Sequence, residues 1–210
     1  MKNPVANALI PIFINRGEDI IKRHPELTRN SSPEKDYFIA LRNILNADDL
    51  YVVILGQDPY PQPNTATGIA FANNPDKQVI SPSLRVIKES VSAITQNTAF
   101  DITLNNWILQ GILPINSAWT VPYNNPNGHW QYWIRYTADL LKDLSTRLPN
   151  LCYILLGNQA SMFKHNIVSG KILEEYHPSY YVRQKLQMPP RVWLEMLSYV
   201  KNTFNKDLIL

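Results

Sequence analysis

A chain of 210 residues, 45% hydrophobic and 18% charged, fits one domain whose core can bury well over half of the unfolded surface, and it excludes a disordered chain. A net charge of +3 is compatible with a polyanionic partner but excludes nothing alone, since such values are common in proteins that never meet nucleic acid. The lone cysteine, Cys152, rules out an internal disulfide and leaves the usual zinc ligand sets incomplete, so no metal is expected.

In chain order, Val5–Ile14 is apolar but interrupted by Asn7 and Pro11. It is far shorter than the roughly 20 residues that cross a bilayer, so it reads as the start of a first helix, and no membrane partner is expected. Tyr37–Ala47 sets Phe38, Leu41, Ile44 and Leu45 at helical spacing. Tyr51–Leu55 is a continuous apolar run, as expected of a strand covered on both faces. Leu84, Ile87, Val91 and Ile94 stripe a further helix, with Ser81 as its N-cap and Pro82 at its first position. Ile112–Ile115 reads as a strand containing Pro114. Trp133–Leu148 reads as a helix, and Leu151–Leu156 as a second continuous strand that buries Cys152 as a small hydrophobe. Ile172–Tyr176 is a strand carrying Glu174 and Glu175, and Arg191–Phe204 is a helix entered through Pro189–Pro190. Pro114 and the glutamates place the second and fourth strands nearer the edges. Strands alternating with helices predict one α/β domain over residues 1–210, with a short, mostly parallel four-stranded sheet flanked by helices.

The residues just beyond each strand point to function. The four runs end in Gly-Gln-Asp-Pro-Tyr (56–60), Asn-Ser-Ala-Trp-Thr (116–120), Gly-Asn-Gln-Ala-Ser (157–161) and His-Pro-Ser (177–179). Active sites of open α/β sheets lie outside the carboxyl ends of the strands. A carboxylate, a carboxamide, a helix N-terminus and an imidazole therefore converge on one crevice. Singly, each residue has a plainer reading. Asp58 suits an Asx-Pro turn, Asn116 a turn cap and His177 a satisfied core histidine, while Phe71 and Tyr60 could simply pack. Dinucleotide and P-loop fingerprints, the GxSxG elbow and HExxH are all missing, which removes most nucleotide-dependent and triad chemistry.

Five segments in one order point further. VVILGQDPYP at 52–61, SPSL at 81–84, GILPINSAWTV at 111–121, ILLGN at 154–158 and HPSYYVRQ at 177–184 together resemble the family 1 uracil-DNA glycosylases. They match that family's water-activating, Pro-rich, uracil-reading, Gly-Ser and HPSPLS segments, over roughly residues 30 to 200. Pro61, where the family usually has histidine, is similar to its poxvirus branch.

The resemblance implies base flipping, then hydrolysis of the N-glycosidic bond to leave an abasic site, with no cofactor. Asp58 would orient water and stabilise the cationic sugar. His177, as neutral imidazole, would donate to uracil O2 as charge develops there. Asn116 would read the N3–H and O4 edge, and cytosine, with the opposite pattern, would leave buried groups unpaired at roughly 1–3 kcal/mol each. Tyr60 would exclude the thymine methyl, Phe71 would stack on the flipped ring, and Gln57 would contact it through the loop backbone or side chain. Ser83, Asn158 and Ser179 would hold phosphates, Ser83 at a helix N-terminus that offers free amides. Tyr181 takes the place of the family's wedge leucine, on a loop facing the DNA, and either fills the gap left by the base or packs against the protein.

The expected partners are uracil-containing DNA, single- or double-stranded, and DNA-mimicking inhibitor proteins, the protein itself being a monomer. Its expected compartment is the cytoplasm, or the nucleus in a eukaryote or a virus. Two rivals stand beside this reading. One is a non-catalytic DNA-binding or polymerase-accessory module on the same fold. The other is a glycosylase with another base preference, against which Asp58 and Tyr60 weigh.

Overall fold

The computed structural model describes residues 4–77, 79–95 and 99–210. In chain order it contains α1 (Pro4–Arg23), β1 (Ser31–Ser32), α2 (Ile39–Ile44), β2 (Val52–Gly56), α3 (Pro82–Ser92), α4 (Asn105–Leu109) and β3 (Ile112–Asn116). Next come β4 (Val121–Pro122), α5 (Trp130–Arg147), β5 (Cys152–Leu156), α6 (Asn158–Ser161), β6 (Lys171–Glu175), α7 (Pro178–Gln184) and α8 (Arg191–Phe204).

The four expected strands form one parallel sheet in the order β3-β2-β5-β6. Every residue of β2 and β5 is buried, because helices cover both faces and their side chains are apolar throughout. The expected edge strands are the edges. Pro114 lies on β3, which borders only β2, and its carbonyl accepts from Ala70 N–H rather than from the sheet. Its missing N–H therefore costs no ladder bond. Glu174 is exposed on the other edge, β6. A small antiparallel pair, β1 with β4, ties the chain beyond β3 back to the segment after α1.

Aromatic residues pack the helices into two clusters. Phe13 of α1 meets Tyr136 of α5 edge-on at 5.7 Å, the Tyr136 hydroxyl donates to the Phe13 carbonyl, and Phe38 lies 5.2 Å from Trp119. Trp107 of α4 packs 5.7 Å from Trp193 of α8, whose indole N–H donates to Ser90 of α3. Such ring pairs add about 0.5–1.5 kcal/mol each beyond their buried area.

Three expectations needed correction. The helix read over Tyr37–Ala47 shrinks to Ile39–Ile44, since Leu45, Asn46 and Ala47 donate three residues back and close it as tight turns. Ser81 holds the N-cap position of α3, but its hydroxyl goes to Asn73 Oδ1 instead of capping the helix. The segment 178–184, expected as a loop, is the helix α7.

Candidate active site

Because the four strands run parallel, their carboxyl ends open on one side of the molecule. The chain leaves β2 to form its neighbour β3, then returns to the other flank of β2 to form β5. A crevice opens where the winding reverses. A cleft of about 280 Å³ lies there, lined by Gln57, Asp58, Tyr60, Phe71, Ser83, Asn116, His177 and Ser179. Eight of the ten expected site residues are brought together.

Gly56 makes the closest of these approaches feasible. A Cβ there would sit 2.7 Å from Asn116 Oδ1 and 2.8 Å from the Phe71 ring. Phe71 itself has φ +65, a left-handed conformation unfavourable for a bulky residue. The Tyr60 hydroxyl holds it there by donating to the Phe71 carbonyl over 2.8 Å. Burial pushes that phenol up to about 12, so Tyr60 remains a donor. The Phe71 ring lies 5.8 Å from the imidazole of His177, and Asn116 is buried at the end of β3. The loop after β2 is fixed to the exit of β3, since the Gln57 carbonyl accepts from Ser117 Oγ at 2.6 Å and from Ala118 N–H at 2.9 Å.

Asp58 is half-buried, and its Oδ2 accepts from the backbone N–H of Asn127 at 2.8 Å. Burial raises its pKa above the ordinary carboxylate value, while hydrogen bonds from Asn127 and Gln57 oppose the rise.

His177 is the N-cap of α7, followed by Pro178 at the first helical position. Its Nδ1 accepts from the backbone N–H of Ser179 at 3.2 Å and lies 2.8 Å from Ser179 Oγ. A backbone N–H can only donate, so Nδ1 carries no proton and the neutral ring holds its proton on Nε2. Burial, and then the Arg183 guanidinium, depress its pKa to about 4. Arg183 also donates to Ser179 Oγ at 2.9 Å. Arg183 carries no signal in the sequence, because its place one turn after Ser179 exists only if the segment is helical. Gly157, with φ +93, lets the end of β5 approach this residue, since a Cβ there would sit 2.7 Å from His177 Cβ.

Two expected residues lie outside the cleft. Asn158 is exposed at the start of α6, beside a separate groove of about 270 Å³ next to Tyr176. Tyr181 is 6% exposed, with its hydroxyl donating to Glu175 Oε1 at 2.6 Å. It faces the protein and not the surface, which corrects the placement of its ring toward DNA. The helical turn is the cause: it carries residue 181 inward on a helix that packs against α3, and the Tyr181 hydroxyl reaches the end of β6. The exposed aromatic is Tyr176, stacked on Tyr180 at 4.5 Å.

Comparisons with known proteins identify the family and the fold. The model of the uracil DNA glycosylase superfamily matches residues 43–201. A uracil-DNA glycosylase of Borreliella burgdorferi is 34% identical over 89% of this chain and 86% of its own. Another, from a Ruegeria species, is 33% identical over 82% of this chain and 74% of its own. Among solved structures, mimivirus uracil-DNA glycosylase superposes with a TM-score of 0.75 at 22% identity, over 94% of this chain and 79% of that one. A tyrosine-to-leucine variant of the mimivirus protein, in complex with UGI, gives 0.79 at 21% identity over 100% and 88%.

Proposed function

The chain belongs to the uracil-DNA glycosylase superfamily, and from that premise we infer that it hydrolyses the bond between uracil and deoxyribose in DNA. The target nucleotide leaves the stack and enters the cleft. Asp58 orients a water molecule toward C1′, and its charge stabilises the oxocarbenium character that grows there. The C1′–N1 bond breaks with its electron pair on uracil, the water oxygen bonds to C1′ and gives up one proton, which neutralises the uracil anion, and an abasic site remains. His177 donates from Nε2 to uracil O2 as that oxygen becomes negative. A neutral imidazole is suited to this, because the site gains a donor without a net charge. Asn116 reads the N3–H and O4 edge, Tyr60 stands where a C5 methyl would go, and Phe71 stacks on the ring.

The single observation that carries this reading is the proton placement on His177. The Ser179 amide fixes the tautomer with Nε2–H, and the depressed pKa keeps the ring neutral, in the same cleft as Asp58 and Asn116. For Gln57, the carbonyl accepts from Ser117 and Nε2 donates to Asn127, so the residue is held at the cleft to contact the base through the loop backbone or side chain. Ser83, in the first turn of α3, and Ser179, both lining the cleft, hold phosphates in this reading, and Asn158 holds one further along the DNA strand. The order of segments and Pro61 favour family 1 with a poxvirus-like loop. We also propose a monomer, inhibited by proteins of the UGI kind, in a reducing compartment.

The test is cleavage of a uracil-containing oligonucleotide followed by alkali. Wild type should yield the product. Asp58→Asn, which keeps shape and removes charge, should lose on the order of 100-fold in single-turnover rate with DNA binding largely kept. His177→Ala should also be severely impaired. Near-normal rates in both variants refute the site assignment.

A further inference from the structure

The water-directing carboxylate has a support that the motifs do not contain. Asn127, in the loop between β4 and α5, donates its backbone N–H to Asp58 Oδ2 at 2.8 Å. Its side-chain Oδ1 accepts from two different segments, Gln57 Nε2 at 3.1 Å and Gln159 Nε2 at 2.5 Å. Its carbonyl accepts from Trp130 N–H as α5 begins. Asn127 also has φ +66, which turns its N–H and side chain in directions that a right-handed residue could not combine.

From these contacts we propose that Asn127 is the positioning residue for Asp58: Gln57 and Gln159 clamp its side chain so that its amide holds the carboxylate in register with the cleft. The proposal rests on Asp58 directing the water, as inferred above.

Three observations carry it. The side chain is exposed, so its hydrogen bonds contribute little to the core, and their geometry is spent on the site. Gln159 keeps its Nε2 on Asn127 although its own Oε1 is buried and finds no partner among the described residues. A glutamine serving only the fold would turn that oxygen to water. The Asn127 amide is also the largest influence opposing the rise that burial imposes on the Asp58 pKa. The other titratable groups lining the cleft are Tyr60, His177 and Arg183, and Gln57 adds a weaker influence on Asp58 in the same direction as the Asn127 amide. The clamp joins three strand-end segments, those after β2, β4 and β5, so it sets their separation as well as the carboxylate's angle.

Asn127→Gly keeps the left-handed backbone and the N–H but removes Oδ1. Gln159→Met removes one clamping donor and preserves length. On a uracil-containing oligonucleotide, each variant should lose on the order of 10-fold in kcat, with KM within about two-fold of wild type and Tm nearly unchanged, since displacement of a positioned group slows chemistry without weakening binding. The double variant should be no slower than the slower single one, because both act through one contact. Unchanged kcat in the single variants overturns the proposal, as does a change confined to KM or a double variant whose losses multiply. Should Asn127→Gly fail to fold, Gln159→Met decides by the same kcat and KM criteria. Asp58→Asn is measured in parallel. If that variant remains fully active, the role of Asp58 fails and this proposal fails with it. If it is slow while the clamp variants are normal, only the clamp is wrong.

Discussion

At the scale of single residues, the proposed base choice rests on two side chains held by different means. Asn116 is fixed by being buried at the end of β3, so its amide has little freedom to adapt to another base. Tyr60 is fixed through its hydroxyl, which also keeps Phe71 in its left-handed conformation. Tyr60→Ala should therefore open space at C5 and admit slow thymine excision, while costing uracil activity because Phe71 is released. Tyr60→Phe separates the two effects, since it keeps the ring and loses only the tie to Phe71. It should lose uracil activity without gaining thymine activity. A wild type that excises thymine as fast as uracil removes the steric argument. The residues legible in the sequence are those whose local setting is distinctive, such as Asp58 and His177 at strand ends before proline. Asn127 was not legible. Asn-Pro-Asn-Gly reads as an ordinary turn, and its partner carboxylate is 69 positions away.

At the scale of elements, α7 decides which tyrosine meets the outside. Pro178 at the first position is a helix-start signal like Pro82 of α3, but histidine is not a usual N-cap residue, so His-Pro announces α7 less clearly than Ser-Pro announces α3. The helical twist then buries Tyr181, with its hydroxyl on Glu175 at the end of β6, and leaves Tyr180 half-buried beside the exposed Tyr176. Tyr181→Ala should behave as a core truncation, destabilising by about 3–5 kcal/mol as buried aromatic-to-alanine changes do. Tyr181→Phe removes only the hydroxyl bonded to Glu175 and should cost about 1–3 kcal/mol. At a temperature where all proteins are folded, and at one salt concentration, the ratio of duplex to single-strand rates should match wild type in both. A selective loss on duplex in Tyr181→Ala would show that the ring leaves its pocket to act on DNA, and would reverse the inward placement.

For the whole molecule, the sheet was the most legible feature, because continuous apolar runs such as Tyr51–Leu55 and Leu151–Leu156 have few places to go except between two helical layers. The runs could not reveal how the converging ends alter acid–base behaviour, which depends on burial created only by the assembled fold. His177 illustrates this. Its pKa falls from 6.5 to about 4 on folding, first through burial and then through Arg183. Between those values the unfolded chain binds a proton that the folded protein refuses. Stability contributed by the neutral buried ring is thus fully present above about pH 6.5 and is lost as pH falls through that window. At 1.36 kcal/mol per pH unit the loss reaches about 2–3 kcal/mol by pH 4.5. Asp58 acts in the opposite sense: its raised pKa makes the folded state the stronger proton binder as pH falls toward the carboxylate range, so it offsets part of the loss. Urea unfolding at pH 7 and pH 4.5 separates the two when performed on Asp58→Asn and on Asp58→Asn/His177→Gln. The single variant should lose about 2–3 kcal/mol more on acidification than the double variant, whose glutamine does not titrate. Equal losses would mean that His177 titrates normally in the folded protein, and the neutral donor assigned to uracil O2 would then be partly protonated near pH 6.5.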